Sequence, residues 1–222
     1  MIIPLPNLLS DNQVKTIMGL VGSAQFEDGK NTAGWHAREV KNNEQMTQSE
    51  PLKEINQILS RALQLNELFN FATHPHIIRP FLVSRCKDQG SYGTHIDNAL
   101  MFHERTSRTD ISMTVFLSPP NSYEGGDLVI EEPAAERRFR MAAGSAIVYP
   151  STTLHRVEPV TKGERIVACT WVQSRIRSAE QREILFDMDT ARRSLFQKDG
   201  KSREFDLMTK AHANLMRRWS DV

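Results

Sequence analysis

Between residues 76 and 174 the chain repeats one texture: a short β-rich run, a turn signal, then another short run. The runs are HIIRPFLVSRC, DISMTVFLSPP, GGDLVIEE, RRFRMAA, SAIVYP and GERIVACTWVQS. Pro119-Pro120-Asn121, Gly125-Gly126 and Ala143-Gly144-Ser145 separate several of them. Many short strands at this spacing predict an antiparallel sandwich or jelly-roll barrel and argue against a parallel α/β sheet.

Helical periodicity brackets this stretch. Ser10 followed by Asp11 starts a helix with Val14, Ile17, Met18 and Val21 on one face. Ser49, with Pro51 in the first turn, starts another that carries Leu52, Ile55, Ile58, Leu59, Ala62 and Leu63. Residues 25–48 between them are polar and weakly periodic, which reads as a long loop or loose hairpin, a place where function often resides. After residue 177, Ile184, Met188, Ala191 and Leu195 mark one helical face, and Met208, Ala211, Leu215 and Trp219 mark a second. Gly200 and Ser202 break the two apart. The expected class is therefore α+β with a mainly β core. Residues 1–75 would form an N-terminal helical and loop region, 76–177 the β core, and 178–222 a C-terminal helical extension.

Bulk properties exclude several functions. A net charge of +1 gives no electrostatic case for nucleic acid or an anionic membrane. No run approaches a membrane span, and Pro4 and Pro6 interrupt the opening MIIPLPNLLSDNQ, which argues against a signal peptide. Two distant cysteines, Cys86 and Cys169, point to a reducing, cytoplasmic setting instead of a disulfide framework.

The chemistry centres on SYGTHIDNALM, which holds His95 and Asp97 around one isoleucine. An H-x-D triplet alone is close to what chance supplies in a chain with seven histidines. A strand end would set both side chains on one face to grip an ion. Downstream, YPSTTLHRVEPVTKGERIVACTW adds His155 and, ten residues later, Arg165. Two histidines and a carboxylate make the facial triad of non-haem Fe(II) oxygenases, which leaves three coordination positions for a bidentate 2-oxo acid and dioxygen. Arg165 suits the far carboxylate of 2-oxoglutarate, because its planar fork pairs with a carboxylate bidentately. A salt bridge to Glu158 or Glu164 is its competing role. Strand alternation would put Val167, Cys169 and Trp171 on the same inward face as Arg165.

These residues resemble the Fe(II)/2-oxoglutarate oxygenases with a prolyl 4-hydroxylase-like core, and within them the PKHD-type (PiuC-like) hydroxylases. SYGTHIDNA, YEGGDLVI and YPSTTLHRVEPVTKGERIVACTWVQSRIR carry the resemblance, joined by DGKNTAGWHAREVKNNEQM and AEQREILFDMD outside the core. The resemblance implies a double-stranded β-helix, with His95, Asp97 and His155 as iron ligands and Arg165 on the cosubstrate carboxylate. It also implies Fe(II), 2-oxoglutarate and dioxygen, L-ascorbate as reductant, and hydroxylation of a small-molecule or peptidyl substrate with release of succinate and CO2. The group is associated with iron uptake. Related enzymes often have a tyrosine nine residues before the first ligand, where this chain has Cys86, whereas Tyr92 keeps the second tyrosine of the pattern and is a cosubstrate-contact candidate. Asn98 either meets substrate or finishes the turn. His74 and His76, split by a proline, read as a surface loop, and His36 and His103 have no partner. The alternative function is a non-catalytic jelly-roll module that binds or senses a metal or small molecule. The tail either joins two copies of the chain or caps the barrel.

Overall fold

A computed structural model describes residues 1–103 and 105–221; the side chain of His103 lies outside the described set. Its framework is two antiparallel sheets. The larger is ordered Ile3–Leu5, Ala146–Pro150, Ile111–Phe116, Arg165–Ser174, Leu82–Cys86, Glu44–Met46, Phe26–Asp28, with Pro75–Ile78 also on Arg165–Ser174. The smaller is ordered Glu136–Phe139, Leu128–Glu131, His155–Val157, Ser91–His95, Lys41–Asn42. Several of these strands come from the first 46 residues, so both sheets extend beyond the β-rich stretch legible in the sequence. The segment 25–48 is indeed a loose hairpin: Phe26–Asp28 pairs with Glu44–Met46, and two short 3-10 turns lie between them.

The central strands of the large sheet are buried on both faces, and alternation sorts their residues. Ile111, Met113, Val115, Ile166, Ala168 and Val172 face a core shared with Ile17, Val21, Leu52, Ile55, Leu59 and Leu63. Those last residues belong to α1 (Asp11–Gly22) and α2 (Glu50–Leu65), so two helices cover that face. Phe116, Ile147, Tyr149 and Val167 pack instead with Leu128 and Ile130 of the small sheet. Both helices start where the sequence predicts. Ser10 and Gln13 close a reciprocal capping box, and Ser49 caps α2 with Pro51 in its first turn. Each cap contributes about 1 kcal/mol. A short α3 (Glu67–Thr73), which the periodicity does not reveal, follows on the Asn66 cap.

The tail is the predicted helical hairpin, α4 (Ala179–Asp199) and α5 (Arg203–Trp219), broken at Gly200 and capped by Ser202. Its buried face differs from the expected one. Arg182, Leu185 and Asp189 are buried, whereas Ile184 is exposed. Polar groups occupy the inward positions because each has partners. Arg182 donates to the carbonyls of Ile176 (2.8 Å) and Arg177 (2.9 Å), and Asp189 is paired with Arg192 and Arg193. An apolar periodicity cannot register such a face. His74 and His76 also depart from the surface-loop reading. His74 caps α3 in the left-handed conformation (φ 44°), His76 lies in the strand Pro75–Ile78, and both are half-buried. Among the described residues, no helix is long and apolar enough to cross a membrane.

Candidate metal and cosubstrate site

The two histidines meet at one rung of the small sheet. His95 ends its strand and pairs directly with His155, the first residue of the next. Cross-strand neighbours bring side chains into contact, and here the ring centroids are 4.3 Å apart. The strand stops at His95, and Asp97 returns from the following loop to set Oδ2 3.7 Å from His155 Nε2. One ligand atom from each of the three residues lies within 4.8 Å of the others. Donors on one ion at about 2.1 Å are at most about 4.2 Å apart, so a small adjustment completes a binding geometry.

The donor chemistry also fits a metal. His95 Nδ1 contacts Gly93 O at 2.8 Å, and His155 Nδ1 contacts Thr153 O at 3.0 Å. A carbonyl accepts, so each Nδ1 carries the proton and each Nε2 keeps its lone pair, the arrangement a metal-binding imidazole needs. Burial, with His155 adding repulsion, pushes the His95 ring down to about 4, so it is neutral near pH 7. Asp97 Oδ2 accepts from Ser112 Oγ at 2.5 Å, and Ser112 is bonded to Ser151 at 2.7 Å. Ser112 and Ser151 are buried, so a hydroxyl pair at the large sheet orients a carboxylate on the loop that leaves the small one. A serine on the inward face of the buried strand ISMTVF, in step with Thr114, was the signal available for this residue.

Arg165 starts the long strand Arg165–Ser174, opposite Cys86. It is 2% exposed, and its Nε and Nη2 have no hydrogen-bond partner. The competing salt bridge does not form: Glu158 pairs with Arg156 and Arg138, and among the described residues no carboxylate is within ion-pair reach of Arg165. A buried, unpartnered guanidinium is costly, and a carboxylate entering from outside would satisfy it. Gly126 makes room for the arm. Its φ is +69°, and a Cβ there would stand 2.9 Å from Arg165 Cδ.

Arg165, Val167, Cys169 and Trp171 line one cavity with His95, Asp97 and His155, as alternation predicted; out to its open mouth the space is about 910 Å³. Tyr92 and Cys86 line it too. Tyr92 stacks on His95 with centroids 3.6 Å apart, and burial drives its hydroxyl pKa well up. Cys86 is buried, which raises its thiol pKa, and is too short to project as a tyrosine would. Asn98 faces the cavity while its carbonyl accepts from Thr109 Oγ1, so it finishes the turn and borders the site at once. His36 is exposed beside Trp35 and is not among the lining residues. Among the lining residues that went unread in the sequence is Lys41, 5% exposed.

Comparison with known proteins agrees with this geometry. A family model described as the 2OG-Fe(II) oxygenase superfamily matches residues 81–173, and one described as the PKHD-type hydroxylase C-terminal domain matches residues 180–221. A PKHD-type hydroxylase of Crocosphaera subtropica is 48% identical over 222 residues, with 100% of both chains covered. Another, from Colwellia psychrerythraea, is 49% identical over 221 residues, with 99% of each covered. Among solved structures, a Pseudomonas putida prolyl-4-hydroxylase aligns with a TM-score of 0.54 at 15% identity, covering 78% of this chain and 92% of that one, a likeness of fold alone. A non-catalytic binding module is not what these relatives are. The chain belongs to the PKHD-type hydroxylases and is an enzyme of the 2OG-Fe(II) oxygenase superfamily.

Proposed function

We propose that the chain hydroxylates a small-molecule or peptidyl substrate, consuming 2-oxoglutarate and dioxygen and releasing succinate and CO2. The observation that carries this reading is the pairing of a His–Asp–His cluster with a buried, unpartnered arginine in one cavity. His95 and His155 would hold Fe(II) through Nε2 and Asp97 through a carboxylate oxygen, with Ser112 keeping that carboxylate in place. Fe(II) with 2-oxoglutarate would activate dioxygen, the oxidant, for the attack on substrate. Arg165 takes the far carboxylate of 2-oxoglutarate, and Tyr92, stacked on His95, fixes that ring and borders the cosubstrate. Val167, Cys169, Leu128 and Tyr149 shield the reacting end from water. L-ascorbate serves as external reductant in this reading.

The two facing sheets are read as the halves of a double-stranded β-helix. Residues 76–177 make its catalytic core, 1–75 its flank and 178–222 its helical extension. Trp35, Ile96, Leu100 and Phe102 are large, apolar and exposed on segments that adjoin the cavity, as the contact surface for a substrate would be. The test is succinate release from purified protein with Fe(II), 2-oxoglutarate and a metabolite or peptide library. Substrate-dependent succinate supports the reading if Asp97→Ala abolishes it. Succinate formation that survives Asp97→Ala would assign the chemistry to another site.

A further inference from the structure

Lys41 lies in the strand Lys41–Asn42, whose pairing with Ser91–His95 sets it directly opposite Tyr92. The side chain lines the cavity, is 5% exposed, and holds its ammonium 5.1 Å from the centre of the Tyr92 ring. Among the described residues, its only hydrogen bond is donated to Thr32 Oγ1 at 3.1 Å, and Thr32 itself donates to Gln45 Oε1. No carboxylate is within ion-pair reach of it among those residues. An ammonium has three protons to place, so two remain without an acceptor. Burial without a counter-ion lowers its pKa to about 8, which leaves it mostly charged at neutral pH.

Its position narrows what could satisfy it. Lys41 lines the cavity together with Cys86, Cys169 and Asp97, and its strand lies beside Ser91–His95, which ends on the ligand candidate His95. Cys86 is the cross-strand partner of Arg165, and Cys169 lies four residues further along the same strand. Lys41 thus borders the path from the arginine to the His–Asp–His cluster, the path a dicarboxylate must follow if one end meets Arg165 and the other meets the metal.

We infer that Lys41 is a second cosubstrate-binding residue, donating from its ammonium to a carboxylate oxygen of 2-oxoglutarate and sharing the dianion with Arg165. This rests on the iron and 2-oxoglutarate reading above. It also gives the N-terminal hairpin a share in cosubstrate binding, outside the segment that the oxygenase family model matches.

The test is an anaerobic titration of the full chain, loaded with Mn(II), with 2-oxoglutarate, followed by the change in tryptophan fluorescence, to which Trp171 in the cavity wall contributes. Lys41→Met should weaken 2-oxoglutarate binding about tenfold or more while Mn(II) affinity, measured separately, stays within twofold. Lys41→Arg should restore a large part of the loss. Lys41→Gln provides the uncharged comparison if the methionine variant folds poorly, as judged by its thermal melt. Equal 2-oxoglutarate affinity in wild type and in the folded uncharged variant would overturn the inference and reassign the ammonium to an anionic group on the substrate. Failure of the wild type itself to bind 2-oxoglutarate would instead overturn the underlying cosubstrate reading, and this inference with it.

Discussion

His95 and His155 share a rung of one antiparallel ladder, and each anchors its Nδ1 on the carbonyl two residues before it, Gly93 and Thr153. The same local device, used on both strands, points two Nε2 lone pairs into one space before any ion arrives. Preorganisation of this kind puts most of the ordering cost into folding instead of binding.

The orientation of Asp97 depends on Ser112. Ser112→Ala removes the 2.5 Å hydrogen bond to Oδ2 and leaves Ser151 without its partner. Metal affinity should fall about 10–100-fold, with the fold intact. Competitive Mn(II) titration against a chelator reads this directly. Unchanged affinity would mean the hydroxyl pair is only filling space.

Gly126→Ala should damage the arginine instead of the metal cluster. The new methyl would stand 2.9 Å from Arg165 Cδ and 2.8 Å from Val160 Cγ2, on a backbone with φ +69°. Left-handed strain alone costs about 1–2 kcal/mol. The expected result is a lower Tm together with a several-fold higher 2-oxoglutarate KM and near-normal metal affinity. Equal losses in metal and 2-oxoglutarate binding would show general unfolding of the site.

The metal-free protein should be acid-sensitive in a defined window. His95 titrates near 4 when folded and near 6.5 in the ordinary state, so the unfolded chain takes up the proton first as pH falls. Stability is fully present above about 6.5 and is lost progressively towards 4. His74, lowered to about 4 by burial and then by His212, contributes in the same window. Denaturant unfolding in the presence of a chelator at several pH values should show the fall, and His95→Gln should remove roughly 3 kcal/mol of it at most. An identical slope in that variant would contradict a neutral, buried His95.

In the tail, Arg182 is the anchor. Arg182→Leu would leave the carbonyls of Ile176 and Arg177 without their donor, destabilising the protein by about 1–3 kcal/mol. Hydrogen exchange should quicken across α4 and α5 while metal affinity holds. Unchanged exchange there would mean that Leu185 and the Phe71–Phe186 stack (5.1 Å between centroids) hold the hairpin without it.

Much of this was legible in the chain because it depended on spacing. Strand alternation correctly put Val167, Cys169 and Trp171 beside Arg165 in the cavity wall. Caps at Ser10, Ser49 and Ser202 marked helix starts, since a hydroxyl three residues before a free backbone N–H is a local signal. What escaped depended on partners far away in sequence. Lys41 in KNNEQM reads as a solvated charge until its strand pairs with Tyr92. Ser112 reads as an interruption until Asp97 arrives. The inward face of α4 escaped for another reason: Arg182 and Asp189 find partners three to six residues away, yet hydrophobic periodicity scores both as outward.

The central claim is that His95, Asp97 and His155 hold one Fe(II) on which 2-oxoglutarate chelates. Anaerobic addition of Fe(II) and then 2-oxoglutarate tests it, read as bound iron per chain and as a weak visible charge-transfer band. One iron per chain and a band that needs both additions are expected, with both lost in His95→Ala, Asp97→Ala and His155→Ala. Stoichiometric iron retained when all three are replaced, or no band in the wild type, would contradict the account.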